Sequence, residues 1–419
     1  MHKDNLVVGI DIGSANIRAI IAQKNKEEEN PRVIGVGVAS SLGVRRGVIV
    51  DNDDVAKAVN EAIEMAERMA GVNVKNAIVS IAGAEIFFQD AKGVIAVGRA
   101  DGEVAEEDMN RVIGEAQNVP LPMNKEIIHV IPRKYRLDDQ DNIKDPLGMR
   151  GVRLEIDAMV IGSSATQVKN LTKCIYQAGI EIDDIVLAPL AAARAVLTKK
   201  QKELGVVLVM IGGGTTSLAI YEEGELVHTA ILPVGAGHIT NDIAIGLRTS
   251  IEVAEKIKFE YGTAIAEDVD KKEGIDLAQI DSQEEGIVSR FHVAEIIEAR
   301  MEEIFDHVQK ELKRIGKAGL LPAGAVLVGG GAKLPQIVEM AKEVLRLPTQ
   351  IGFPHGLGGV LDKVDDPSFA TVAGLIQWGV DREETEMEIQ TNGRFMEAFS
   401  QNTGPTVEKV KGWMKKFLP

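Results

Sequence analysis

Two short segments, half a chain apart, share one pattern. GIDIGSANIRAI (9–20) and MIGGGTTSLAI (210–220) each read as an apolar strand, a glycine turn and a second apolar strand. Aligning Ile12-Gly13 with Ile211-Gly212 brings the flanking segments into the same order. In the second copy, GVVLVMIGGGTTSLAIYEEGELVHTAILPVG continues as strand, turn, strand, hairpin, strand. A repeat of this length predicts an α/β architecture of two related halves with a cleft between them.

The glycine turns suggest what the cleft holds. Gly13 allows a tight turn, and Ser14, Ala15 and Asn16 can aim N–H groups at an oxyanion. Gly212, Gly213 and Gly214 repeat the arrangement, with Thr215 and Thr216 adding hydroxyls. Such amide nests bind phosphate without needing cationic side chains. Either hairpin alone reads equally well as an ordinary glycine-bulged turn. Two that face each other can clamp one polyphosphate. Gly329-Gly330-Gly331, between the strand AVLV and an expected helix, adds a place where backbone can approach a flat ligand and a helix N-terminus can face it. Glu255 and Lys258 in AEKIK share a helix face and could reach a ribose, although such a pair is usually a solvated salt bridge. Asp11, Gly235 and Lys333 complete the nucleotide-binding set.

Between the repeats, Asp51–Gly71 is expected to be a helix. Val55, Ala58, Val59, Ala62, Ile63, Ala66 and Met69 recur at spacings of three and four, an Asp or Asn can cap the start, and Gly71 suits the end. From about residue 85 the texture changes to extended segments around a helix starting near Glu106, which predicts a small inserted α+β unit over 85–164. The main domain then resumes. After Gly237 the chain is helical and charged to about Arg314, with an acidic interruption over 266–286.

Charge narrows the function classes. The chain of 419 residues has 47 Lys plus Arg against 63 Asp plus Glu, a net charge of −16. Its last thirteen residues hold four Lys and one Glu, a local +3, so residues 1–406 carry −19. An acidic body argues against nucleic acid as a partner. The single Cys174 rules out a disulfide framework and is expected to be a buried small hydrophobe. The first residues reach a glycine turn too soon for a signal peptide, and no apolar run is long enough to span a bilayer. The expected location is the cytosol, with membrane contact only at a surface.

The order of phosphate hairpin, helices, phosphate hairpin, ribose helix and glycine triple resembles the actin, Hsp70 and sugar-kinase superfamily over residues 5–385. Four segments resemble the bacterial cell-division FtsA family: IIHVIPRKYRLDDQDNIKDPLGMRGVRLE, NLTKCIYQAGIEIDDIVLAPLAAARAVL, GAVLVGGGAKLPQIVEMA and DDPSFATVAGL. The resemblance implies an actin-like, ribonuclease H-like duplicated core. Subdomain 1A would span 1–84 and 165–198, with 1C inserted at 85–164. Subdomain 2A would span 199–242 and 321–362, with 2B at 243–320 and a return helix over 363–385. It further implies ATP and Mg²⁺ in the cleft, actin-like protofilaments, further divisome partners through 1C, and capture by 2B of the tail of the tubulin-like protein FtsZ. For that capture Arg300 is the first candidate and Arg290 the second, because Arg grips carboxylates in bidentate fashion; ion pairing to neighbouring acids is the plain alternative.

One departure stands out. The superfamily's second phosphate loop has acids where this chain has Met210 and Ser217. Asp11 remains as the carboxylate able to meet Mg²⁺ through water, and a thioether cannot replace a carboxylate for a hard cation. The expectation is ATP binding with very slow hydrolysis or none, and weaker Mg²⁺ dependence is a further reading of Met210.

The C-terminus carries a different signature. The segment 381–406 mixes charge, Asn, Gly and Pro, and its residues 386–404 read as a flexible tether with an apolar Phe395, Met396 and Phe399 cluster. Over 405–419, Val407, Val410, Met414 and Phe417 form one helical stripe with Trp413 and Leu418 beside it, rimmed by Lys409, Lys411, Lys415 and Lys416. An apolar stripe with Trp and a cationic rim predicts a helix lying in an anionic membrane surface, on the cytoplasmic face at the division site. Docking of this helix on the body is the alternative. Rival readings for the whole chain are a pilus-assembly-type actin-like module that binds a membrane protein's tail, and a small-molecule kinase. The C-terminal helix argues against the first, and the missing acids against the second.

Overall fold

The computed structural model describes residues 6–24, 28 and 30–382. The tether and the membrane-helix residues Val407, Val410, Lys411, Trp413, Met414, Lys415, Lys416, Phe417 and Leu418 lie outside the described residues.

The chain opens with three antiparallel strands, β1 (Leu6–Ile12), β2 (Asn16–Gln23) and β3 (Arg32–Ser40). Helix α1 (Asn52–Ala70) crosses back over them and leads to β4 (Asn76–Ile81), which runs parallel to β1. The helix forms as its spacing demands. Asp51 Oδ1 accepts from the amides of Asp53 and Asp54 at 3.0 Å, and Gly71 ends it with φ 70°. Val55, Ala58, Val59, Ala62, Ile63 and Ala66 are buried. The helix lies close on the sheet because β3 offers glycine there. A Cβ on Gly37 would sit 1.8 Å from the Ala62 carbonyl oxygen.

The insert follows: β5 (Phe87–Ala96), α2 (Glu106–Gln117), β6 (Lys125–Leu137), β7 (Gln140–Ile143) and β8 (Arg153–Ser164). Its four-stranded sheet, in the order β5-β8-β6-β7, is antiparallel throughout. It has its own core, in which Met109, Val112 and Ile113 of α2 pack with Val130, Leu154 and Ile156. The main domain resumes with α3 (Ala165–Gln177), β9 (Glu181–Leu187), α4 (Ala188–Val196) and α5 (Lys199–Leu204). Strand β9 pairs parallel to β4. Cys174 of α3 is fully buried.

The second half repeats the first. Strands β10 (Val206–Ile211), β11 (Thr216–Glu222) and β12 (Glu225–Leu232) are antiparallel. After α6 (Ala236–Leu247), α7 (Ile251–Tyr261) and the long α8 (Arg290–Arg314), β13 (Ala325–Val328) pairs parallel to β10. Helix α9 (Ile337–Leu345) then leads to β14 (Thr349–Ile351), parallel to β13. The strand orders β3-β2-β1-β4-β9 and β12-β11-β10-β13-β14 match in the two sheets, and the first gains a sixth, two-residue edge strand, Gly358–Gly359, beside β3. The registers match as well: Ile12 faces Ile17 across β1 and β2, and Ile211 faces Thr216 across β10 and β11. A last helix over 370–382 returns to the first half, where Trp378 is 1% exposed and donates its Nε1–H to Asp184 at 2.9 Å.

One local expectation is corrected. The glycine triple does not open an α-helix. Residues Gly330–Lys333 form a 3₁₀ turn, and α9 starts only at Ile337. Pro335 and the left-handed Gln336 (φ 63°) intervene, and proline restricts the residue before it to extended backbone. The glycine triple therefore lacks the α-helix dipole expected of it.

Candidate functional site

The two glycine hairpins meet at the ends of β1 and β10 and border a cavity of about 470 Å³, within the size range of small-molecule sites. They are in contact. A Cβ on Gly213 would lie 2.9 Å from the Ala15 Cβ, and one on Gly214 would lie 2.8 Å from the Ser14 Oγ. The loops are fixed from behind. Ser14 Oγ accepts from the Gly47 amide at 3.0 Å. The amides of Ala236 and Gly237, at the start of α6, donate to the carbonyls of Gly212 and Gly213 at 2.8 Å.

Of the residues expected to bind nucleotide, Asp11, Gly13, Ser14, Ala15, Asn16, Gly212, Gly213, Gly214, Thr215, Glu255, Lys258, Gly329, Gly330, Gly331 and Lys333 line this one cavity. Two do not line it. Thr216 is fully buried, and Gly235 caps α6 directly behind the second hairpin.

Each end of the cavity has its own chemistry. At one end Lys258 Nζ donates to Glu255 at 2.5 Å and to the Thr240 hydroxyl at 2.8 Å, and Thr240 also donates to Glu255. The Glu255–Lys258 pair is thus held from α6. Phe259, 69% exposed, stands beside it at the cavity wall. Gly329 crosses over Ile211 with φ 88°, and Lys333 Nζ donates to Asp366 at 2.5 Å.

At the other end, Asp11 faces Arg18 across the first hairpin. Ser80 donates to Asp11 Oδ1 at 2.8 Å and accepts the Ile12 amide at 2.9 Å. Burial pushes the Asp11 carboxyl above its usual range, against the pull of the Arg18 charge and the Ser80 bond. Burial likewise lowers the Arg18 guanidinium, against the charges of Asp11 and Asp366. Across the second hairpin, Met210 faces Ser217. The Thr371 hydroxyl donates to Met210 Sδ at 3.3 Å, and Ser217 Oγ is buried without a partner among the described residues.

Arg18, Phe259 and Thr371 line the cavity but were not expected there. Arg18 had a readable signal: it stands at the position in the first repeat that Ser217 holds in the second. Thr371 lies in the segment DDPSFATVAGL that carries the family resemblance, but nothing local shows that the last helix brings it to Met210.

The cavity suits a polyphosphate, given its amide loops and the cations Arg18, Lys258 and Lys333 in its lining. It does not suit a tightly held divalent cation. Asp11 is the one carboxylate at the hairpin end, a guanidinium faces it, and the matching second-half positions are a thioether and a hydroxyl. No group of three or more His, Cys, Asp or Glu among the described residues could hold a metal.

The candidate peptide-binding arginines lie away from the cavity, on α8, and both are engaged. Arg300 grips Asp242 with Nε at 2.6 Å and Nη2 at 3.0 Å, and also reaches Glu303. The hydrogen bond that it donates to Asp242 raises its pKa. Arg290 holds both oxygens of Glu273 at 2.8 and 2.9 Å and donates Nε–H to the Tyr261 carbonyl at 3.0 Å.

Family comparison decides what kind of actin-like cleft this is. The family model "Cell division protein FtsA" matches residues 207–374, and "SHS2 domain inserted in FTSA" matches 83–162. The cell division protein FtsA of Pseudomonas aeruginosa is 36% identical over 99% of both chains. That of Bacillus subtilis is 40% identical over 90% of this chain and 84% of its own length. This chain belongs to the FtsA family of cell division proteins. The solved structures agree on the fold. The PilM-PilN type IV pilus biogenesis complex gives a TM-score of 0.67 at 15% identity, covering 89% of this chain and 98% of that one. MreB 5 of Spiroplasma citri bound to AMPPNP gives 0.53 at 17% identity, covering 93% and 99%. These FtsA relatives place the chain in cell division, on an actin-like fold with an inserted domain. No helix among the described residues is long and apolar enough to cross a membrane.

Proposed function

We propose that this FtsA-family chain binds ATP between its two glycine hairpins, polymerises on the inner face of the cytoplasmic membrane and tethers the FtsZ ring there, with little or no ATP hydrolysis. The cleft carries the reading: two in-register hairpins converge with Glu255, Lys258 and the glycine triple on one cavity. The base would lie between the glycine triple and the Glu255–Lys258 pair, and the phosphates between the hairpins. Asp11 is the carboxylate through which a nucleotide-borne Mg²⁺ would meet the protein by way of water. With Met210 and Ser217 opposite, the second hairpin supplies no carboxylate to orient an attacking water. Calorimetric titration with ATP should show one site per chain. No heat of binding, or turnover that Asp11→Ala abolishes, overturns the reading.

The same reading assigns subdomains 1A, 1C, 2A and 2B as the sequence divides them, with self-association along the actin-like axis and divisome partners on 1C. Membrane attachment falls to the Lys-rimmed helix over 405–419, whose apolar stripe and charge of +3 contrast with the acidic body. One such helix binds reversibly, and a filament multiplies it. Liposome sedimentation with anionic vesicles should lose this protein when 405–419 is removed and when salt is raised. Equal binding of the truncated chain rejects the anchor. For the FtsZ tail, Arg300 stays the first candidate and Arg290 the second. A peptide carboxylate must displace Asp242 to use Arg300, so Asp242→Asn should tighten tail-peptide binding and Arg300→Glu should remove it. Unchanged affinity in Arg300→Glu rejects the assignment.

A further inference from the structure

The insert belongs to the first half by chain connection, since β5 follows β4 and β8 leads into α3. Its cations reach the second half. Arg133 of β6 donates Nη2–H to the Val227 carbonyl at 2.9 Å, and its Nη1–H to Asp90 of β5 at 2.9 Å steadies it. Lys144, just after β7, donates Nζ–H to the Glu223 carbonyl at 2.7 Å and to Glu203 of α5 at 3.4 Å. Lys134 stands 3.8 Å from the Glu223 carboxylate. In all three contacts across the seam the cation comes from the insert and the acceptor from the second half.

The seam is polar rather than tightly packed. A cavity of about 520 Å³ runs along it, with Asp90, Arg133 and Lys134 on one side and Glu222, Glu225 and Leu226 on the other. Burial raises the Glu225 carboxyl above its usual range, against the pull of Lys134, Lys144 and Arg133. Polar interfaces of this kind let one body shift against the other.

Where the insert grips decides what a shift would move. Glu223 and Val227 lie at the tip of the β11–β12 hairpin, whose seven pairs run from Thr216–Leu232 to Glu222–Glu225. Such a ladder is a stiff arm of about 20 Å. At its root Thr216 directly follows the second glycine loop, and beyond Leu232 the chain reaches Gly235, which caps α6 behind that loop. Lys144 also holds α5, the last helix of the link between the halves. The insert therefore grips one end of an arm whose other end is the second jaw. These bonds form in the same conformation in which the jaws touch, with a Cβ on Gly213 only 2.9 Å from the Ala15 Cβ.

We infer that the insert is a strap between the two halves, which holds the β11–β12 arm, and through it the second glycine jaw, in the closed position. The inference rests on the nucleotide reading above and goes further. It makes Arg133 and Lys144 positioning residues for the nucleotide, although neither lines its cavity. Coupling of this kind is reciprocal. A ligand that draws the insert away from the arm would loosen ATP, and bound ATP would resist that ligand.

The test compares the natural full chain, Lys144→Glu, and Lys144→Glu combined with Glu203→Lys, which reverses the pair. Calorimetric titration with ATP should show Lys144→Glu binding about 2–30-fold more weakly, the range of coupling carried by residues that touch neither ligand. The reversed pair should recover part of the loss. Hydrogen exchange of the ligand-free chains reads the same link without nucleotide. The amides of Ala236 and Gly237, which fix the second glycine loop, should exchange faster in Lys144→Glu. Natural ATP affinity in Lys144→Glu overturns the inference and leaves the nucleotide reading standing, as does a loss that the reversed pair does not relieve. If the natural chain gives no heat with ATP, the nucleotide reading falls and exchange decides the strap alone: unchanged protection at Ala236 and Gly237 overturns it. Should Lys144→Glu fail to fold, Lys144→Gln, which only removes the charge, takes its place in both measurements.

Discussion

The first hairpin sets Asp11 opposite Arg18, and the second sets Met210 opposite Ser217. The next strand extends the contrast. Ile10 pairs with Val79 on β4, which puts Ser80 beside Asp11, whereas Met210 pairs with Val328 on β13. One half therefore presents a carboxylate, a guanidinium and a hydroxyl, and the other a thioether, a buried hydroxyl and an isopropyl group. The backbones agree because a hairpin's register is set by main-chain hydrogen bonds and by the alternation of buried side chains. Neither constrains the side chain that faces the cleft. Duplication thus yields two touching jaws that differ chemically, one charged and one neutral.

The sharpest way to break this asymmetry is to give the second jaw its acids. Met210→Asp with Ser217→Asp should raise Mg²⁺-dependent ATP turnover by about a hundredfold, the usual worth of a positioned general base. The new carboxylate would accept the Thr371 hydroxyl that Met210 now receives. A phosphate-release assay showing no rise would mean that the neutral jaw is not what limits turnover.

The converse exchange takes the hydroxyl from the first jaw. Ser80→Val copies Val328 and leaves the Ile12 amide and the Asp11 carboxylate without their hydroxyl partner. We expect a loss of about 2 kcal/mol in denaturant unfolding, the cost of leaving buried polar groups unpaired. A change too small to measure would show that water replaces Ser80 freely.

Contact between the jaws can be tested with a single methyl group. Gly213→Ala pushes against Ala15, and overpacking of this kind costs about 1–3 kcal/mol. ATP affinity should fall about tenfold while the far-ultraviolet circular dichroism is unchanged. Full affinity would mean that the jaws do not need to touch.

The smallest effect lies at the joint between the halves. Lys202 of α5 stands over the Tyr221 ring, and burial lowers its pKa from 10.5 to about 8. Between those values the unfolded chain binds the proton and the native chain does not, so stability rises as pH goes from about 8 towards 10.5. Lys202→Met should flatten that part of the stability profile relative to the natural protein. Parallel profiles would remove Lys202 as its source.

Much of this was legible in the sequence. The ends of α1 were fixed by Asp51 and Gly71 because capping acts within a few residues. The hairpins were visible because glycine and strand alternation are local signals. The glycine triple was only half legible. The strand before it and the helix after it exist, but Pro335 delays the helix to Ile337. Arg300 and Arg290 were found as arginines among apolar residues. Their partners, Asp242 and Glu273, were not, because ion pairing across 58 and 17 residues leaves no periodic trace.

By itself the sequence determined the duplicated α/β plan, the two glycine hairpins, the inserted unit and the non-acidic Met210 and Ser217. These follow from backbone freedom, side-chain alternation and residue identity, all of which are properties of neighbours along the chain. Only the tertiary structure decided that the jaws touch, that Thr371 reaches Met210 across 161 residues, and that Arg18 lines the cavity with its Nε buried and without a hydrogen-bond partner among the described residues, while Lys258 and Lys333 are paired. Such facts depend on which distant elements meet. Long-range packing fixes those meetings, and a cation's local sequence does not show whether its partner is the protein or a ligand.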